Sequence, residues 1–183
     1  MRVLAISGSL RRDSYNTALL RAARDLAPAG VAVEHYDGLA AIPAFSEDLE
    51  ADPPAEVRDL REQIAAADAL LVATPEYNGS APGALKNALD WASRPRGTAA
   101  LVAKPAAVIG ASPSSFGAKW AQEQIRRALM LSGAMVVEPE LAVANADQRF
   151  VDGELVDGEV RAGLAEVLEA LAEFSAAEAA IAA

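Results

Sequence analysis

The segment Val3-Leu4-Ala5-Ile6-Ser7-Gly8-Ser9-Leu10-Arg11-Arg12-Asp13-Ser14-Tyr15-Asn16 sets the reading of the whole chain. Val3–Ser7 is a short apolar run closed by Gly8, the pattern of a buried strand. Helical spacing follows, with Leu19, Leu20, Ala23 and Leu26 on one side until Pro28 and Gly30 end it. A helix start offers free N–H groups at the positive end of its dipole, and both attract an anion. Ser9, Arg11, Ser14 and Asn16 add the donors that a dianionic phosphate monoester requires. Asp13 must then point away. The competing reading is an ordinary helix cap with two solvated arginines, and this segment alone does not choose between them.

Working outward, strand and helix signals alternate. Val31–Tyr36 alternates as a strand and turns at Asp37-Gly38, and an irregular stretch, Leu39–Pro54, follows. Val57, Leu60, Ile64 and Ala67 mark a second helix, and Ala69–Thr74 a third strand stopped by Pro75. Pro82 suits the first turn of a third helix, whose buried side carries Leu85, Ala88 and Leu89. Pro105–Ala111 reads as a fourth strand. Trp120, Gln124, Ala128 and Ser132 share a helical face with Ile125 and Leu129, in a fourth helix ending near Gly133. Met135–Val143 reads as a fifth strand interrupted by Pro139. After turns at Asp152-Gly153 and Asp157-Gly158, a last helix carries Val160, Leu164, Val167, Leu168, Leu171 and Phe174 on one face. The alanine-rich tail 176–183 is expected to fray. With no internal repeat or linker, residues 1–183 read as one domain.

Mostly apolar strands alternating with helices predict an α/β fold, a three-layer sandwich whose five-stranded parallel sheet is covered by helices on both faces. In the strand order 2-1-3-4-5 a ligand sits beyond the C-terminal ends of strands one and three, where the winding reverses. The two most unusual loops of this sequence follow those two strands. The second reads Thr74-Pro75-Glu76-Tyr77-Asn78-Gly79-Ser80-Ala81-Pro82-Gly83-Ala84-Leu85-Lys86-Asn87. Its prolines stiffen it, and Asn78-Gly79 supplies a turn able to aim N–H groups at a flat ring, with Tyr77 at one edge. A tight strand-to-helix turn with a proline start is the alternative. No G-x-x-x-x-G-K-[ST] and no G-x-G-x-x-G follows a strand, which disfavours a nucleoside triphosphate and a resident dinucleotide and leaves a monophosphate nucleotide.

Gly8-Ser9-Leu10-Arg11 with Ser14-Tyr15-Asn16, Pro75-Glu76-Tyr77-Asn78-Gly79-Ser80, and Pro82-Gly83-x-Leu85-Lys86-Asn87-x-x-Asp90-Trp91 together resemble the NAD(P)H-dependent FMN reductase family. This flavodoxin-like group includes quinone, azo-dye and chromate reductases, and the likeness runs from residue 1 to about residue 145 by the order of its elements. The resemblance implies that Ser9, Arg11, Ser14 and Asn16 hold the phosphate of FMN, with a backbone contact from Tyr15. It implies that Pro75, Glu76, Tyr77, Asn78, Gly79 and Ser80 line the isoalloxazine. The loop Ser112-Pro113-Ser114-Ser115-Phe116-Gly117-Ala118 would flank the other ring edge through Ser112 and Gly117, although family members often carry a glycine pair where this chain has Gly117-Ala118. Also implied are NAD(P)H as transient co-substrate, a small acceptor such as a quinone or free flavin, ping-pong turnover, and a homodimer or homotetramer. In that assembly the Phe45–Glu50 segment approaches a neighbour's site; a solvated acidic connector is its other reading.

Composition agrees. The chain has no cysteine, which excludes thiolate metal sites and cysteine nucleophiles, and a single histidine, His35, expected to be a partly buried strand residue. Such a chain suits chemistry carried by a cofactor. A formal net charge of −10 disfavours nucleic acid and anionic membrane surfaces as partners. Without an export signal or a long apolar stretch, a soluble cytoplasmic protein is expected. Two further readings compete: an electron-carrier flavodoxin without NAD(P)H turnover, and a phospho-acceptor receiver domain. The second would need aspartates where Ser7 and Thr74 stand.

Overall fold

Strand β1 (Arg2–Ser7) is the spine of the sheet because its neighbours on both sides come from later in the chain. In the computed structural model, which describes residues 1–182, it pairs in parallel with β2 (Ala32–His35) and β3 (Ala69–Thr74). β3 pairs with β4 (Pro105–Ala111), and β4 with β5 (Met135–Val136), giving the expected order β2-β1-β3-β4-β5. The expected fifth strand is two pieces. Residues 137–140 leave the ladder around Pro139, which has no N–H to donate, and β6 (Leu141–Val143) resumes pairing with β4.

Every residue of β3 and β4 is buried, and alternation sorts their side chains between two cores. Val3, Ala5, Ala69, Leu71, Ala73, Ala107, Ile109 and Ala111 face helices α1 (Tyr15–Leu26) and α5 (Gly158–Ala182). Leu4, Ile6, Leu70, Val72, Ala106 and Val108 face α2 (Ala55–Ala66), α3 (Gly83–Ala92) and α4 (Lys119–Leu131). The sheet is thus the middle of three layers. β2 is an edge strand with only Val33 buried, and His35 lies exposed there, bonded to Asp37 Oδ1 at 2.7 Å, instead of partly buried.

Three further details depart from the sequence reading. Phe150–Val151 (β7) and Glu154–Leu155 (β8) form a small antiparallel hairpin around Asp152-Gly153, both of positive φ, where only a turn was expected. On α4 the buried stripe is Ala121, Gln122, Ile125 and Leu129, so Trp120 sits half-exposed beside it. The tail expected to fray continues α5 as far as Ala182; Ala183 lies outside the described residues. Among the described residues no helix is long and apolar enough to cross a membrane.

Asp157 caps α5 by accepting the N–H groups of Glu159 and Val160, both at 3.0 Å. Leu164 and Leu171 of this helix are fully buried against the α1 side of the sheet. Leu164→Ala should therefore cost about 2–5 kcal/mol in urea unfolding, whereas Val156→Ala, at an exposed position, should stay within about 0.5 kcal/mol.

Candidate functional site

Three loops leave the C-terminal ends of β1, β3 and β4 and meet at that edge. The register sets them side by side: Ser7 lies opposite Ala73, and Thr74 opposite Gly110. The Gly8 N–H donates to the Ala73 carbonyl at 2.8 Å. A Cβ on Gly8 would lie 2.8 Å from Leu85 Cδ2 and 3.3 Å from Pro75 Cδ, so the first loop passes closely by Pro75 and α3, and a side chain there would have to displace Leu85.

The first loop is wound around its hydroxyls. Ser7 Oγ shares a hydrogen bond with Thr17 Oγ1 at 3.0 Å and accepts the Ser9 N–H at 3.3 Å. Ser14 caps α1, accepting from the N–H groups of Asn16 and Thr17. Ser9 and Ser14 are buried, while Arg11 is exposed with its guanidinium carbon 5.3 Å from the centre of the Tyr15 ring. Asp13 is exposed too, and the first turn of α1 contains no acidic residue. Asn16 has a job the sequence did not signal. Its Nδ2 donates to the Ala111 carbonyl and its Oδ1 accepts the Ala111 N–H, both at 2.9 Å, which ties α1 to the end of β4. One amide hydrogen remains to it.

The second loop is a miniature hairpin. Tyr77 and Ser80 exchange backbone hydrogen bonds of 2.9 and 3.0 Å across Asn78 (φ 53°) and Gly79 (φ 72°), the pair of left-handed residues this tight turn demands. Pro75 is buried, Glu76 half-buried, and Tyr77–Ser80 exposed. Glu76 turns its carboxylate to the start of α4, where Oε2 accepts the N–H groups of Trp120 and Ala121.

In the third loop the Ser112 N–H donates to the Val143 carbonyl, and Ser112 Oγ lies 3.0 Å from Ser114 Oγ. Gly117 has φ 58°, and a Cβ there would come within 2.6 Å of the Ala142 carbonyl carbon. Ala118, fully buried, repeats the left-handed conformation at φ 62°. Phe116 and Trp120 pack ring on ring, centroids 4.7 Å apart, and both stay half-exposed.

A fourth segment is anchored from α3. Asn87 donates to the Pro43 carbonyl and accepts the Phe45 N–H, both at 2.8 Å, and Trp91 Nε1 donates to the same carbonyl at 2.9 Å. Arg94 lies over the Phe45 ring at 5.3 Å and pairs with Glu50 at 2.7 Å. Behind Trp91, burial lowers the pKa of Arg61, with Glu50 pulling it the other way. Beside the second loop runs a groove of about 950 Å³ between α3 and α4, lined by Ser80, Lys86, Gln124, Arg127 and Leu131 among others.

This arrangement can be set against known proteins. The profile described as NADPH-dependent FMN reductase matches residues 1–148. The chain is 46% identical over 175 residues to the NAD(P)H-dependent FMN reductase PA1204 of Pseudomonas aeruginosa, covering 93% of each. The chain belongs to this family. It is also 39% identical to a 2-hydroxy-1,4-benzoquinone reductase of a Burkholderia species, covering 88% of each. Among solved structures, FerB, the flavoenzyme NAD(P)H:(acceptor) oxidoreductase of Paracoccus denitrificans, superposes with a TM-score of 0.85 at 36% identity, over 95% of this chain and 96% of that one.

In this member of the reductase family, the residues singled out from sequence lie at one edge of the sheet: Ser9, Arg11 and Ser14 on the first loop, Tyr15 and Asn16 in the first turn of α1, Pro75 through Ser80 on the second loop, and Ser112 and Gly117 on the third. The carboxamide of Asn16 and the carboxylate of Glu76 are turned to backbone groups of neighbouring elements. The sequence reading assigned no role to Thr17, Asn87 or Trp91, although Asn87 and Trp91 stand in the quoted motif. Polar side chains at regular positions on a buried helix face were the available signal.

Removing the Asn16 carboxamide leaves a buried N–H and a buried carbonyl without partners. Asn16→Ala should cost at least about 2 kcal/mol in chemical unfolding. Gly117→Ala adds both a left-handed strain and a clash with backbone, and should destabilise by more than about 1 kcal/mol in the same measurement.

Proposed function

We propose that this chain is an FMN-dependent NAD(P)H oxidoreductase that passes reducing equivalents to quinones, free flavin or similar acceptors by a ping-pong cycle. The observation that carries the reading is the meeting of three loops at the β1/β3/β4 edge, in a chain of the FMN reductase family. FMN fits the residues present. The first loop offers buried hydroxyls, an exposed guanidinium and an acid-free helix N-terminus, the donor set of a dianionic phosphate. In the second loop, Tyr77 and Ser80 use their N–H groups on each other, and those of Asn78 and Gly79 have no partner among the described residues. They are available to the polar edge of a flat ring.

Bound FMN supplies the redox chemistry, accepting hydride from NAD(P)H and releasing electrons to the acceptor. The chain's own part is positioning. Ser9, Ser14 and Arg11 hold the phosphate, Tyr15 contributes beside them, and Asn16 keeps the loop against β4. Residues Pro75–Ser80 would support one ring edge, and Ser112 and Gly117 would flank the other. A homodimer or homotetramer is part of the proposal, supported by the groove beside α4 and by the exposed side chains of Met130 and Leu131. Residues 1–183 act as one domain.

The carrier reading has less support. A flavodoxin of Pseudomonas aeruginosa superposes with a TM-score of 0.58 at 26% identity, below the 0.85 of FerB.

An absorbance spectrum tests the proposal. The purified protein should be yellow, bleach under anaerobic NADPH and regain colour with a quinone. Initial rates against NADPH and quinone should give parallel double-reciprocal lines; intersecting lines would remove the ping-pong cycle. A yellow protein that NADPH cannot bleach would favour the carrier, and a chain that takes up no FMN would overturn both. Arg11→Ala should weaken FMN binding about ten- to a hundredfold, the loss expected for a charged hydrogen bond.

A further inference from the structure

Helix α4 starts without a cap of its own. Its cap residue, Ala118, has a methyl side chain and a left-handed φ of 62°, and makes no side-chain hydrogen bond to the helix. The first N–H groups of a helix have no partner within it. Here two are served from 44 and 45 residues away: Glu76 Oε2 accepts from Trp120 at 3.1 Å and from Ala121 at 3.2 Å. These are the second and third helical positions, the pair an ordinary cap side chain serves, and the carboxylate stands at the positive end of the helix dipole. One turn on, Gln124 makes a second tether, with Oε1 accepting the Ala81 N–H at 3.0 Å and Nε2 lying 3.3 Å from Ser80 Oγ.

The tether has a consequence for the site. Trp120, whose N–H Glu76 holds, carries the ring that packs on Phe116, and Tyr77 follows Glu76 directly. At the end of α4 nearest the site this carboxylate, with Gln124 one turn further on, therefore sets the distance between the second loop and the Phe116–Trp120 pair. We propose that Glu76 is a positioning residue that fixes the width of the ring cleft by capping α4. This rests on the FMN reading above. It differs from a role in which the negative charge itself acts on the ring, because glutamine keeps the accepting oxygen and removes the charge.

The experiment compares Glu76→Ala with Glu76→Gln in two measurements. Amide exchange at Trp120 and Ala121 in the FMN-free protein reads the cap, and FMN fluorescence quenching reads the cleft. Tryptophan emission adds a local probe, since Trp91 is fully buried and Trp120 half-exposed. Glu76→Ala should speed exchange at both amides and weaken FMN binding, each by about tenfold, the scale of a lost cap, while Glu76→Gln stays within about threefold of the parent in both. A glutamine variant as impaired as the alanine variant would overturn the inference by making charge the active property. Faster exchange with unchanged FMN affinity would overturn it by reducing Glu76 to a stability cap. A parent protein that binds no FMN would overturn the functional reading with it, whereas a parent that binds FMN and an alanine variant that binds it equally would overturn this inference alone.

Discussion

Burial of the central strands on both faces is the constraint from which the rest follows. β1, β3 and β4 give alternate side chains to two separate cores, so neither face can be left to water. Parallel neighbours of this kind connect only through helices that cross over a face, and each crossover returns the chain to the same edge. The loops after β1, β3 and β4 therefore meet at one edge because the hydrophobic pattern allows them nowhere else. Reversal of winding on either side of β1 leaves the crevice there.

What the edge offers is mostly backbone. Backbone donors serve a ligand only if the loops cannot slide, and three polar side chains prevent that. Asn16 joins α1 to Ala111, Glu76 joins the second loop to α4, and Asn87 joins α3 to the segment at Pro43 and Phe45. Each spans a long stretch of sequence and serves backbone groups that would otherwise lack a partner. The Asn16 bonds, which are buried, gain more from what they prevent than from their own strength, since a buried group left unsatisfied costs more than a paired one gains.

That division explains what was legible in the sequence. The strands and a sheet covered on both faces could be read because apolar runs and helical spacing record burial directly, residue by residue, and the strand order was read from the two unusual loops that follow strands one and three. The two loops could be located because glycine, proline and Asn78-Gly79 record backbone conformation. Side-chain partners are recorded nowhere locally. A buried asparagine after a capping serine reads as a phosphate ligand, and a glutamate in a ring loop as part of the ring's wall; that the first also holds Ala111 and the second also caps α4 is visible only once the fold brings those elements together. The same limit applies to the strands. Pro139 announced a break, but whether pairing would resume at Leu141 depended on β4 being long enough to receive it. The hairpin at Phe150–Leu155 was too short for any periodicity to mark, and is held by contacts such as Phe150 on Tyr15.

Separating grip from access also bears on how a reductase differs from a carrier on one fold. In the proposed reading, the groups that would hold the cofactor are, apart from the exposed Arg11 guanidinium, buried or backbone: Ser9, Ser14, the first turn of α1, and the turn at Asn78-Gly79. The groups a second molecule would meet are the exposed apolar ones at the rim, Leu10, Tyr77, Phe116 and Trp120. Such a rim recognises flatness and apolar area, both properties that a nicotinamide and a quinone share, and it places no buried polar group that a wrong acceptor would leave unpaired. Strong discrimination between acceptors requires such groups. On the proposed reading, an open apolar rim over a cradle built largely of backbone would bind its cofactor specifically and its acceptors permissively, and the range of acceptors would follow the rim's width, which the proposed tie between the second loop and α4 would set.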